Sequence, residues 1–263
     1  MAKKRLIPKL LFFPSKLNPG KLSLVTTIEF SKIIETGDPV SQAKIYESQM
    51  VDELILIDLS HSKGLNKNGL NLELLNSISK EVFIPLTVGG GVQSIEHFRL
   101  LLKNGADKIA INSAALSDCN IVYKASEKFG AQCVVACIDY KINSDNIASV
   151  YANSGTKKYN IDPISWAQKL EKYGAGEILL TCLNNDGKKS GLDLEISKSV
   201  ISSISIPVIL SGGCGRAKHF VEGFKFTGAE AIAAGTFFCF QDQNPMQTRS
   251  QITNGGIDIR LSI

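Results

Sequence analysis

The sequence predicts an α/β fold, a (β/α)8 barrel, as a single domain over residues 1–263. Three observations predict it: eight short apolar runs, amphipathic stretches between them, and an internal repeat at about half the chain length. The runs are apolar at odd and even positions alike, as parallel strands buried on both faces must be. Run 5–11 is followed by a helical pattern at 39–49, and run 54–59 by one at 72–79. Run 84–88 precedes the pattern 95–103, and run 108–111 precedes 121–129. Runs 133–138, 177–182 and 206–211 precede 164–173, 194–202 and 217–226, and run 230–234 completes the set. Eight such units in about 250 residues are the content of a TIM barrel. An open doubly wound sheet does not readily supply eight evenly spaced strands.

The repeat divides the barrel in two. Ile84-Pro85-Leu86-Thr87-Val88-Gly89-Gly90-Gly91 is matched by Ile206-Pro207-Val208-Ile209-Leu210-Ser211-Gly212-Gly213, with the prolines 122 residues apart. Asn104-Gly105-Ala106-Asp107 is matched by Thr227-Gly228-Ala229-Glu230, with the glycines 123 apart. Agreement of the offsets to one residue means two (β/α)4 half-barrels, about 5–125 and 126–240. The tail, 241–263, has no functional reading.

Composition excludes several classes. With 44% hydrophobic and 21% charged residues the chain is too apolar for disorder, and 22 Gly and 8 Pro without a period exclude collagen-like structure. No apolar run approaches the roughly 18 residues of a spanning helix, so no membrane association is expected. Pro8, Lys9, Pro14 and Lys16 interrupt the apolar core a signal peptide would need, so a cytoplasmic location is expected. A net charge of +4, without a basic block interleaved with aromatics, leaves no footprint for nucleic acid. The six cysteines show no CxxC pair and read as reduced thiols in or near the core. Cys133 and Cys137 alternate to one face of the fifth strand, as packing residues. His61, His97 and His219 lack an i,i+4 partner and read as surface residues, so no metal and no cofactor is expected.

Chemistry in this fold sits at the C-terminal ends of the strands. Gly89-Gly90-Gly91 and Gly212-Gly213 follow the third and seventh strands, where a missing Cβ lets backbone amides close on a phosphate. Asn112-Ser113 and Gly235-Thr236 end the next strand of each half, ahead of helix N-termini that favour anions. One glycine pair alone would mean only a tight turn. The symmetric pair of pairs implies a long substrate with a phosphate at each end.

The segments VFIPLTVGGG (82–91), GADKIAINSAA (105–115), GAGEILLT (174–181) and DGKKSGLDLE (186–195) resemble the HisF-type cyclase subunit of imidazole glycerol phosphate synthase. The similarity runs in order from Arg5 to about Phe240. The resemblance implies a lyase of histidine biosynthesis. Ammonia from a glutaminase subunit, docked at the N-terminal face of the barrel as a heterodimer, attacks a bisphosphorylated ribulosyl aminoimidazole carboxamide ribotide. The products are imidazole glycerol phosphate and an aminoimidazole carboxamide ribotide. One phosphate site maps to Gly91, Asn112 and Ser113, and the other to Asp186, Gly187, Gly213, Gly235 and Thr236. Asp58, Thr87, Thr181 and Ser211 match polar positions around the mouth. Asp139, ending the fifth strand, matches one of two general acid/base carboxylates, a role that a raised pKa serves. Arg5, Glu53, Lys108 and Glu177 match a salt-bridged ring at the barrel bottom through which ammonia passes.

The other acid/base carboxylate belongs at the end of the first strand, where Ile7-Pro8-Lys9-Leu10-Leu11-Phe12 places Leu11. A loop lysine that the family uses on substrate aligns with Thr26. Losing one acid/base group typically costs about 10²–10⁴ in rate. An intact base beneath an altered mouth resembles divergent paralogues that supply ammonia for amidation of a nucleotide-linked surface sugar. A reading from a different class is a non-catalytic activator of the glutaminase, against which the kept phosphate loops argue.

Overall fold

The computed structural model describes residues 3–61, 71–240 and 244–260. In chain order the strands are β1 (Arg5–Pro14), β2 (Leu22–Ile28), β3 (Lys32–Gly37), β4 (Leu54–Asp58), β5 (Leu86–Gly89), β6 (Lys108–Ile111), β7 (Val134–Ile142), β8 (Ala148–Ala152), β9 (Lys157–Tyr159), β10 (Glu177–Cys182), β11 (Val208–Ser211) and β12 (Ala231–Ala234). Eight of them pair with one another in parallel in the order β10-β11-β12-β1-β4-β5-β6-β7, and β7 pairs back onto β10 to close a barrel. These are the eight strands expected from the apolar runs.

The first and fifth barrel strands run further than the sequence suggested, β1 to Pro14 and β7 to Ile142. Each continues past the rim as one arm of an antiparallel meander: β1 pairs with β2 and β2 with β3, while β7 pairs with β8 and β8 with β9. Both meanders stand on the catalytic side of the barrel, at corresponding places in the two halves.

The helices are α1 (Pro39–Ser48), α2 (Leu72–Ser79), α3 (Ile95–Lys103), α4 (Ser113–Ser117), α5 (Asn120–Phe129), α6 (Pro163–Lys172), α7 (Leu194–Ser203), α8 (Ala217–Thr227), α9 (Thr236–Phe240) and α10 (Pro245–Asn254). Their starts are written locally. Asp38, Asn71, Ser94, Asp162 and Asp193 each accept a hydrogen bond from an orphan backbone N–H of the first turn, and Pro39 and Pro163 occupy first-turn positions. The helices bury one stripe against the outer face of the sheet, where Leu6, Leu10, Leu54, Leu56, Leu86, Ile178 and Leu210 join the main core.

Alternate residues face inward. The barrel axis is filled by Ile7, Ile55, Ala110, Val135, Leu179, Ile209, Ala231 and Ala233. Along β1 the inward file is therefore Arg5, Ile7, Lys9 and Leu11, which passes from the base through this apolar plug to the mouth. The tail packs back on the fold. Arg249 of α10 reaches the buried Asp52 at 3.2 Å, and the same carboxylate oxygen accepts from the Leu6 amide at 2.8 Å. Lys4 forms a parallel bridge with Ile259.

Candidate active site at the barrel mouth

At the base, strand starts bring four charges into one closed ring. Arg5 bridges Glu53 at 3.0 Å and also pairs with Glu177. Lys108 bridges both carboxylates, at 2.9 Å each. Glu53 and Glu177 are 2% and 6% exposed, so two buried anions are neutralised by two half-buried cations. Burial opposes the charge on Arg5, yet Glu177 and Glu53 outweigh it and leave its pKa raised. The four residues expected at the base are thus together.

At the mouth a cavity of about 660 Å³ opens above the apolar plug, a size suited to a small phosphorylated ligand. Gly91, Asn112 and Ser113 line one end, where α4 begins. Asn112 Nδ2 donates to Asp139 Oδ2 at 2.8 Å and joins the expected anion site to the expected acid/base carboxylate. Asp139 also takes a bond from Thr181 and is only 9% exposed. Burial pushes its carboxyl up to about 6, against the opposing pull of Lys9 and Asn112. A carboxyl titrating there can both take and give a proton near neutrality.

The other expected anion site lies outside this cavity, beneath the chain's own loops. Asp186 is buried, its Oδ2 accepts from Thr27 Oγ1 at 2.7 Å, and its carbonyl accepts from the Glu29 amide. Gly187, at φ +73°, runs so close to the Thr27 carbonyl that a Cβ would collide with it. Gly213, at φ +115°, is covered in the same way by the Gly191 carbonyl. Gly235 and Thr236 stand at the start of α9, on the same rim. The end of β2 and the turn after it sit over Asp186 and Gly187, Gly213 lies against Gly191, and Gly235 lies against the Lys9 carbonyl.

One polar position serves elsewhere. Thr87 is fully buried at the start of β5 and donates to Glu53 Oε1 at 2.6 Å, so it braces the base and does not line the mouth. Asp58 borders the cavity, but its Oδ1 is held by the Ser60 amide and hydroxyl at 2.8 and 2.5 Å. Ser211 ends β11 and accepts from Lys9 Nζ at 2.7 Å. Thr26 is buried within β2 and takes no part in the cavity lining.

Leu11 does not stand alone at the mouth. It packs with Val25, Phe30, Leu59 and Leu183 in an apolar cluster on the β1 side of the mouth. Asp139 and Leu11 hold equivalent places at the ends of β7 and β1, and the two halves of the mouth differ in polarity because of it.

Of the three histidines, His219 needs correction as a surface residue. His219 is 8% exposed, and its Nδ1 accepts from the Gly215 amide at 3.1 Å. His97 is half-buried, and its Nδ1 accepts from the Gln93 amide at 3.2 Å. Each fixes the loop after a glycine-bearing strand, four residues back, which a helix-period search for metal pairs does not detect. His61 stands over Gly91 at the cavity wall and its Nε2 lies 2.6 Å from Gln93 Nε2. Cys137 faces the barrel interior as expected, while Cys133 precedes the strand, in the turn before β7.

A closed parallel barrel with duplicated glycine loops and a buried carboxylate at its mouth is the frame for the comparisons with known proteins. Residues 17–243 match the Histidine biosynthesis protein family, and the chain belongs to it. Within that family its full-length relatives are synthase subunits of the HisF type. A subunit of Prochlorococcus marinus (strain MIT 9313) carrying the name imidazole glycerol phosphate synthase subunit hisF2 is 45% identical over 99% of each chain. The imidazole glycerol phosphate synthase subunits HisF of Hydrogenobaculum sp. (strain Y04AAS1) and Clostridium botulinum (strain Kyoto / Type A2) are 37% and 39% identical. Each of these covers 99% of this chain and 100% of the relative.

Proposed function

We propose that this chain is the synthase subunit of a glutamine amidotransferase of the imidazole glycerol phosphate synthase type. A glutaminase docks on the N-terminal face, over the Arg5–Glu53–Lys108–Glu177 ring. Ammonia enters there and crosses the plug of Ile7, Ala110, Ala231 and Ala233 as neutral NH3, which an apolar path admits and NH4⁺ does not. Because each cation holds both anions, passage requires one side of the ring to open. Phe83, 85% exposed just ahead of β5 on that face, gives a docking partner an apolar anchor.

At the mouth the substrate is a bisphosphorylated ribulosyl aminoimidazole. One phosphate rests on Gly91, Asn112 and Ser113. The other reaches Gly187, Gly213, Gly235 and Thr236 once the β2–β3 turn lifts from Asp186. Asp139 exchanges protons with the nitrogen that arrives from below. The observation that carries this reading is the vertical alignment of a closed charge ring, an apolar interior and a carboxyl titrating at about 6.

A second reading is favoured by Leu11 and its apolar surroundings: a divergent paralogue that passes ammonia to amidation of a nucleotide-linked surface sugar. One assay separates the two. Purified protein with ammonium chloride and the ribulosyl substrate is followed for imidazole glycerol phosphate. Turnover at rates ordinary for such cyclases supports the synthase. Its absence, with retained stimulation of a co-purified glutaminase, supports the paralogue, or an activator role if no bisphosphorylated ligand binds at millimolar concentration.

A further inference from the structure

The inward file of β1 carries a charge that the assigned roles leave unused. Lys9 is 5% exposed, lies between the apolar plug and Leu11, and lines the floor of the mouth cavity. Its Nζ donates to Ser211 Oγ at 2.7 Å and sits 5.4 Å from the centre of the Phe30 ring. β1 and β7 lie opposite each other in the barrel, four places apart on either path round the sheet, so Lys9 faces Asp139 across the axis. Burial lifts the carboxyls of Asp139 and Asp186, and the Lys9 charge works against that lift in both. Cys137 and Cys214 are the other titratable groups within its field. A buried ammonium is costly unless it is held. This one is held by a hydroxyl and a ring face, feels the charges of Asp139 and Asp186 at longer range, and still opens onto a cavity.

We propose that Lys9 is a catalytic residue of this mouth, the proton donor that the leucine at position 11 cannot be, working as a pair with Asp139. The proposal rests on the synthase reading above, in which ammonia meets a carbonyl-bearing phosphorylated sugar derivative. Nitrogen's lone pair forms the C–N bond, and the carbonyl π pair moves to oxygen, which takes a proton from the Lys9 ammonium. The surplus proton on nitrogen passes to the Asp139 carboxylate. Return of that proton from Asp139 to the Lys9 amine resets the pair, so no outside acid or base is consumed. Alternate residues of one strand share a face, so Lys9 delivers its proton from one layer below the position that Leu11 occupies.

The test uses the full chain with ammonium chloride and the ribulosyl substrate, comparing the natural protein with Lys9→Arg, Lys9→Met and Lys9→Ala. Arginine keeps the charge that Asp139 and Asp186 face, and with it the fold, but does not give up a proton in proteins. The expected result is a kcat loss of about 10²–10⁴ in Lys9→Arg and Lys9→Met with KM changed less than about threefold. In Lys9→Ala, added ethylamine and related primary amines restore turnover in the order of their basicity, which a purely structural lysine would not show. Full activity in Lys9→Arg or Lys9→Met overturns the proposal and leaves the synthase reading standing. A natural protein that turns over nothing with ammonium overturns the synthase reading and this proposal together.

Discussion

Asp139→Asn should make the protein more stable at neutral pH while removing its proton-transfer group. Burial lifts this carboxyl from an ordinary 3.8 to about 6. The folded state therefore holds a proton more tightly than the unfolded chain, and stability falls as pH rises between those two values. The benefit of protonation is complete below about pH 4 and lost above about pH 6. At about 1.4 kcal/mol per tenfold, the ionised carboxylate burdens the fold by about 3 kcal/mol at pH 7.5. Asparagine carries no charge there and still accepts from Asn112, but it leaves Lys9 with one carboxylate fewer, so a net gain of about 1–3 kcal/mol is expected. For a domain of this size that is a Tm rise of roughly 2–10 °C. Thermal unfolding followed by circular dichroism at pH 7.5 and 4.5 checks it, and the gain should shrink at the lower pH. An unchanged or lowered Tm at pH 7.5, or an equal gain at both, would refute the account of a strained carboxylate.

Three further outcomes follow from the same geometry. Glu53→Gln removes the anion that Arg5 and Lys108 share, while its amide oxygen can still accept from Thr87, and should cost about 2–4 kcal/mol in urea unfolding, below the full cost of a broken buried pair because the cations are partly wet. Gly213→Ala drives a Cβ into the Gly191 carbonyl at φ +115° and should cost at least about 2 kcal/mol, with weakened inorganic phosphate binding by calorimetry. Leu11→Asp buries a carboxylate among Phe30, Leu59 and Leu183 and should lower stability by about 2–4 kcal/mol at pH 7.5 but less at pH 4.5; a protein as stable as the natural one at both would contradict the packing described.

The barrel was legible because each of its strands is apolar at both parities, a pattern that water-facing strands do not produce. The meanders β2–β3 and β8–β9 were not, since their short stretches mix polar with apolar residues and exposed with buried ones, without a long apolar run. Lys9 could have been found by parity alone: it stands two residues from Ile7 and from Leu11, so a charge there had to face the axis. Thr87 misled because the resemblance set it among polar positions around the mouth, whereas a four-residue strand puts its second residue beside the base. His219 misled because side-chain spacing along a helix says nothing of a ring nitrogen that turns back to a preceding amide.

At His219 that backward turn ties the shape of a loop at the rim to acidity. Imidazole accepts from the Gln93 and Gly215 amides only while its Nδ1 is unprotonated. At His219 burial holds the pKa below its usual value, so the brace is whole above about pH 6.5 and loosens as pH falls through that lowered value. A protonated His219 ring would turn an N–H toward the Gly215 N–H, and the loop after β11 would lose that brace.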